Sequence, residues 1–220
     1  MEYPMKLFLF DHCPFCVRAM MLTGLKQLEV EWVYLLNHDV QSRLDKIGAN
    51  QVPILQKPDG SYMAESLDIV AYLDHVDGQP VLLPSTQQAA IQHYLTESAY
   101  SSSRLLFPRD VCLGLPEFAS DAAVEWFTQR KSAIIGISFD EALANTKTYL
   151  EGLYKCWPLL EDIRLPSSLD NRLSYDDVLL FPGLRNLTMV KGIEFSPHIR
   201  RYIDEVAQLT GVHLYAEVAL

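Results

Sequence analysis

Phe8–Met21 reads FLFDHCPFCVRAMM, and the interpretation of Cys13 and Cys16 within it decides the fold. Two cysteines separated by two residues form a redox couple, half of a metal site, or a chance pair of buried thiols. Just ahead of them, KLFLF at residues 6–10 is an apolar run of strand length, broken by Asp11 and His12. After Cys13, apolar residues recur at Val17, Met20, Met21 and Leu25, close to the helical period. Pro14 suits a first helical turn, where its missing N–H costs nothing. The pattern predicts a strand, a short break, and a helix that starts at or just after Cys13, with Cys16 one turn further in.

That placement favours thiol chemistry. A free cysteine has a pKa of about 8.5, so little of it is thiolate at neutral pH. The unpaired N–H groups and dipole at a helix N-terminus stabilise the anion, and each pKa unit gained is about 1.4 kcal/mol in its favour. Cys13 is therefore the expected nucleophile. Cys16, deeper and less ionised, is the expected resolving thiol, able to attack a mixed disulfide on Cys13. His12 either tunes the thiolate or points to solvent. Arg18 either adds positive potential and binds a carboxylate or is a solvated helix position.

The metal reading is weaker. A structural zinc site generally takes four ligands, yet Cys112 and Cys156 stand alone, with no second CxxC and no HxxxH pair. Only a half-site shared between subunits would rescue it. A CxxC beside a βαβ pattern reads as redox.

Further along, VEWVYLL at residues 30–36 reads as a second strand. VPILQ and SYMA read as a hairpin turning at Pro58-Asp59-Gly60. Ile69, Tyr72, Leu73 and Val76 mark a helix. The order is strand, helix, strand, short helix, strand, strand, helix: a βαβ unit followed by ββα, the thioredoxin-like arrangement. This domain is expected over residues 1–76, followed by a Gly- and Pro-bearing linker, DGQPVLLPSTQQ, at 77–88. From 89 to 220 no alternating strand stands out. Leu143, Leu150, Leu153, Tyr154 and Trp157 suggest one helical stripe; Ile199, Ile203 and Val206 suggest another. Ser174 and Asp177 make a capping signal before VLLFPGL. The fold class expected is an α/β thioredoxin-like N-terminal domain plus an all-α C-terminal domain.

Composition removes other classes of function. A net charge of −10 opposes binding to a phosphate backbone or a polybasic membrane anchor. No apolar run approaches the roughly 20 residues that cross a bilayer. The MKLFLF run beginning at Met5 ends at Asp11, short of a signal h-region of about 7–15 residues. A cytoplasmic protein without nucleic-acid or membrane partners is expected. MEYP, ahead of Met5, is assigned no function.

These motifs carry a resemblance. CPFC is similar to the CPYC-type site of dithiol glutaredoxins, with Phe15 where Tyr is usual. QVPIL at 51–55 resembles the cis-proline strand of thioredoxin-like proteins. ESLDIVAYLD at 65–74 resembles the Ser-containing helix start with which glutathione transferases hold a γ-glutamyl group. Together with FPGLRNLTMV at 181–190, the chain resembles, from Met5 onward, the glutaredoxin 2 family, atypical bacterial glutaredoxins with a glutathione-transferase-like architecture.

The resemblance implies a cis bond at Pro53 that presents the Val52 backbone to glutathione. It implies that Glu65 and Ser66 hold the γ-glutamyl end; the competing reading for Ser66 is an ordinary helix N-cap. It implies a glutathione-dependent thiol–disulfide oxidoreductase in cellular electron transport. Such an enzyme acts on disulfide-bonded or glutathionylated proteins, uses glutathione as reductant, and binds no metal or tight cofactor. A monomer is expected. The rivals are a glutathione transferase, which would share the fold and pocket but needs a hydroxyl to activate glutathione, and a non-enzymatic metal-binding module.

Overall fold

The structure, a computed structural model, describes residues 4–220; the first three residues of MEYP lie outside the described residues. Four strands, β1 (Met5–Leu9), β2 (Val30–Tyr34), β3 (Ile54–Gln56) and β4 (Tyr62–Met63), form one sheet in the order β2-β1-β3-β4. The helices are α1 (Pro14–Leu25), α2 (Val40–Ile47), α3 (Ser66–His75), α4 (Gln88–Asp110), α5 (Asp121–Ile135), α6 (Phe139–Ala144), α7 (Thr146–Tyr154), α8 (Tyr175–Leu187) and α9 (Pro197–Thr210). Contacts divide the chain into two units. The first runs to Pro80 and takes in Gly114–Phe127 and Thr210–Val212; the second comprises Val81–Leu113, Thr128–Leu209 and His213–Leu220.

In the first unit β1 is the central strand. It pairs in parallel with β2, Leu7 opposite Trp32, and antiparallel with β3, Phe8 opposite Ile54. Leu7 and Leu9 are fully buried and Phe8 nearly so, as an unbroken apolar run requires when both faces of a strand are covered. The β3–β4 hairpin turns where the sequence predicts. Gly60, at φ +83°, donates to the Lys57 carbonyl, and the Asp59 carboxylate accepts from the Ser61 N–H. The strands themselves are shorter than VPILQ and SYMA.

α1 packs against α3. Val17, Met20 and Met21 of α1 are fully buried, as are Ile69, Val70 and Leu73 of α3. Val76 of the predicted stripe is exposed, because α3 ends at His75. Gly24 of α1 meets the end of α9 so closely that a Cβ there would lie 1.7 Å from the Thr210 carbonyl oxygen. That oxygen belongs to backbone and cannot rotate away. Gly24→Ala is therefore expected to destabilise the protein at or beyond the upper end of the about 1–3 kcal/mol typical of overpacking. Urea denaturation checks this, and an unchanged midpoint would show that α1 can slide.

The second unit is helical, apart from one isolated bridge between Leu83 and Ser174. Asp176 caps α4 from the start of α8: its carboxylate accepts from the Ser85 hydroxyl and from the N–H groups of Thr86 at 2.8 Å and Gln87 at 3.0 Å. Asp177 accepts from the N–H and hydroxyl of Ser174 at 2.7 and 2.8 Å, so the expected capping pair opens α8. Ile199, Ile203 and Val206 are buried together on α9. The stripe read from Leu143 to Trp157 is not one helix. The chain breaks at Asn145 and again after Tyr154. Leu143 is exposed, while Ala142, Tyr149 and Leu153 take the inner positions.

Candidate active site

Cys13 is the N-cap residue of α1, with extended backbone (φ −72°, ψ 117°) and Pro14 immediately inside the helix. No acidic residue occupies the first turn, so nothing there offsets the positive end of the helix dipole. Cys13 is 9% exposed and Cys16 is fully buried, so an incoming disulfide meets Cys13.

The two thiols differ sharply in acidity. Cys13 is lowered to about 6. The largest cause is a hydrogen bond from the Cys16 thiol; the charge of His12 and the N–H groups of Cys16 and Phe15 add to it against the opposing effect of burial. Cys16 is pushed well above the ordinary thiol value, first by burial and then by its proton's engagement with Cys13. Its sulfur also accepts from the Phe10 N–H at 3.4 Å. One cysteine is thus a ready anion and the other a retained proton donor.

His12 does not point to solvent. It is 9% exposed, its ring set among Phe10, Phe118 and Phe127 at centroid distances of 5.8, 5.1 and 5.2 Å. Its backbone N–H and ring Nδ1 both meet Glu117 Oε1, at 3.0 and 2.5 Å. Glu117, in a short 3-10 turn at Pro116–Phe118, is fully buried. The Asn37 N–H donates to its carbonyl at 2.9 Å. Sequence reasoning missed Glu117 entirely, since it lies 105 residues from its partner and no local pattern marks it.

The Val52–Pro53 peptide is cis. No backbone hydrogen bond engages Val52 among the described residues. Glu65 precedes α3 with φ +68°, a conformation a non-glycine residue adopts only when its surroundings impose it. Its Oε1 accepts from Gln51 Nε2 at 3.1 Å, which ties the Val52 segment to the start of α3. Ser66 is the first residue of α3, and its side chain does not cap the helix; its buried hydroxyl accepts from Arg18 Nη1 at 3.1 Å. Arg18 is half-buried, not solvated. Its guanidinium carbon lies 4.8 Å from the Phe15 ring, it acts electrostatically on Cys13, and its Nε has no hydrogen-bond partner among the described residues. Arg18 thus links Cys13 to Ser66, and Glu65 links Ser66 to the Val52 segment. Among the described residues, no three His, Cys, Asp or Glu side chains are grouped as metal ligands.

Known proteins resemble the chain over nearly its whole length. Residues 90–219 match the family "Glutaredoxin 2, C terminal domain", and residues 7–81 match "Glutathione S-transferase, N-terminal domain". The chain is 38% identical over 217 residues to glutaredoxin 2 of Escherichia coli K12, covering 98% of this chain and all of that one. It superposes with a TM-score of 0.91 on glutaredoxin 2 of Salmonella typhimurium, solved in complex with glutathione, at 39% identity over 98% of this chain and 99% of that one. A glutathione transferase of Phanerochaete chrysosporium shares the fold at a TM-score of 0.70 and 15% identity, over 97% of this chain and 99% of that one. The chain belongs to the glutaredoxin 2 family.

Proposed function

We propose that the protein is a glutathione-dependent thiol–disulfide oxidoreductase that reduces protein disulfides and glutathione mixed disulfides. The observation that carries this reading is the placement of Cys13 at the N-cap of α1 with the free thiol of Cys16 fully buried one turn further in, an arrangement that lowers the first thiol and raises the second. The Cys13 thiolate attacks a substrate disulfide, forming a mixed disulfide and releasing one substrate thiolate. Then either glutathione attacks the intermediate, or Cys16 gives up its proton, attacks Cys13 sulfur and expels the second thiolate. In the second route glutathione reduces the Cys13–Cys16 disulfide. Two electrons pass from two glutathione molecules to one disulfide, so no metal or further cofactor is needed.

Glutathione itself sits along the Val52–Pro53 segment in this reading. Its cysteinyl backbone pairs with the unengaged Val52 peptide groups like an added strand. Its γ-glutamyl end meets Glu65 and Ser66 at the start of α3. The glutathione bound by the Salmonella relative supports the assignment. Residues 1–76 carry the chemistry, 77–88 connect, and 89–220 form the helical part, which supplies the Glu117 turn. We read it further as a monomer of the cytoplasm that acts on glutathionylated or disulfide-bonded proteins; no helix among the described residues is long and apolar enough to cross a membrane.

The test is a glutathione-coupled reductase assay on single-cysteine variants. Cys16→Ser is expected to retain deglutathionylation, where glutathione resolves the intermediate, and to lose most reduction of protein disulfides. A serine hydroxyl can still donate to Cys13, whereas Cys16→Ala cannot. Only the alanine variant should therefore raise the pH at which Cys13 becomes reactive. Equal loss of both activities in Cys16→Ser would make Cys16 structural.

A further inference from the structure

We propose that Glu117 is a positioning residue for the thiol chemistry, holding the His12 imidazole in its protonated form beside Cys13; the proposal rests on the reading of Cys13 as the nucleophile. Glu117 reaches His12 from far along the chain and engages it twice with one oxygen, through the backbone N–H at 3.0 Å and ring Nδ1 at 2.5 Å. Its other oxygen is buried without a hydrogen-bond partner among the described residues. A carboxylate removed from water costs several kcal/mol unless a cation compensates it. The ring in contact with Glu117 can be that cation.

Without Glu117 the balance would tip the other way. Three aromatic rings surround His12, and burial of this kind favours the neutral imidazole. The carboxylate reverses that preference, and the retained positive charge favours a thiolate on the next residue. Glu117 also acts on Cys16, raising it further, which keeps the Cys16 proton available to Cys13. Of the other charged groups in this region, Asp11 accepts from the Tyr34 hydroxyl, Arg43 of α2 lies 5.2 Å from the centre of the Phe10 ring, and Arg18 of α1 acts on Cys13. Half-buried His38, in the segment before α2, follows Asn37, whose N–H donates to the Glu117 carbonyl.

The sign of the effect separates this role from a direct one. A negative Glu117 acting straight on Cys13 would oppose the thiolate, so its neutralisation would lower the pH at which Cys13 ionises. Acting through His12, its neutralisation must raise that pH. Glu117→Gln keeps an oxygen to accept the His12 N–H and removes only the charge.

The experiment follows the rate of iodoacetamide alkylation of Cys13 against pH, by mass spectrometry of the Cys13 peptide, in a Cys16→Ser background. Glu117→Gln is expected to raise the midpoint by about one pH unit, about tenfold less thiolate at a fixed pH below it. In a His12→Asn background, Glu117→Gln should produce no rise. An unchanged or lowered midpoint with His12 present overturns the proposal, as does a rise that persists without His12. If Glu117→Gln does not fold, His12→Asn alone must raise the midpoint, and an unchanged value there overturns the proposal. The readout uses no glutathione. A parent protein whose Cys13 midpoint is not depressed would refute the nucleophile reading itself, whereas a depressed midpoint that Glu117→Gln leaves in place would refute only the role of Glu117.

Discussion

Cys13→Ser is expected to bring both deglutathionylation and protein-disulfide reduction down to background, a loss of roughly a thousandfold or more, as for other catalytic nucleophiles. A serine hydroxyl does not ionise near neutral pH, and the donors aimed at Cys13 favour an anion that serine cannot supply. In the unaltered protein, Cys13 at about 6 means that the thiolate dominates at pH 7. As pH falls below about 6 the thiolate fraction, and with it the single-turnover rate, should drop about tenfold per pH unit. Stopped-flow reaction of the reduced protein with a glutathionylated peptide measures both effects. Appreciable turnover by Cys13→Ser, or a rate flat between pH 5 and 7, would remove Cys13 from the role of attacking thiol.

Arg185→Ala is expected to be the most damaging substitution in the helical unit. Arg185 lies in FPGLRNLTMV on α8 and is fully buried. Its Nε donates to the His213 carbonyl at 3.0 Å, and its Nη1 donates to the Tyr215 hydroxyl at 2.5 Å and to Asn186 Oδ1 at 3.1 Å. Its Nη2 meets His213 Nε2 at 2.8 Å, and the guanidinium lies 3.9 Å from the Tyr215 ring centroid. This one side chain ties the C-terminal segment to α8. Alanine would leave a cavity and strand several buried polar groups, together about 3–5 kcal/mol. The thermal midpoint should fall by roughly 10 °C or more, with Cys13 still reactive in whatever fraction remains folded. A shift of only a degree or two would mean that water or neighbouring side chains replace the guanidinium.

The sequence by itself determined the features that local periodicity encodes. The strand before the cysteines, the helix opening at Pro14, the hairpin at Pro58-Asp59-Gly60 and the Ser174–Asp177 cap all follow from residues within a few positions of one another. Backbone sterics and capping chemistry act over that range. The helical stripe from Leu143 to Trp157 misled because apolar spacing survives a break in the helix: Asn145 carries no proline or glycine to mark its break, and Pro158, which opens the 3-10 turn beyond Tyr154, lies just past the end of the stripe. The cis bond before Pro53 was legible only through family likeness, since proline permits either isomer.

What only the tertiary structure decided lies where distant segments meet. His12 is held by Glu117 from the far side of the sequence, Arg18 turns to Ser66 rather than to solvent, and the Ser66 hydroxyl receives that bond instead of capping α3. In each case a polar side chain of ordinary local appearance is drawn out of water by a partner that the fold brings beside it. Burial makes such pairings obligatory, but the identity of the partner depends on three-dimensional proximity, which the spacing of residues along the chain does not record.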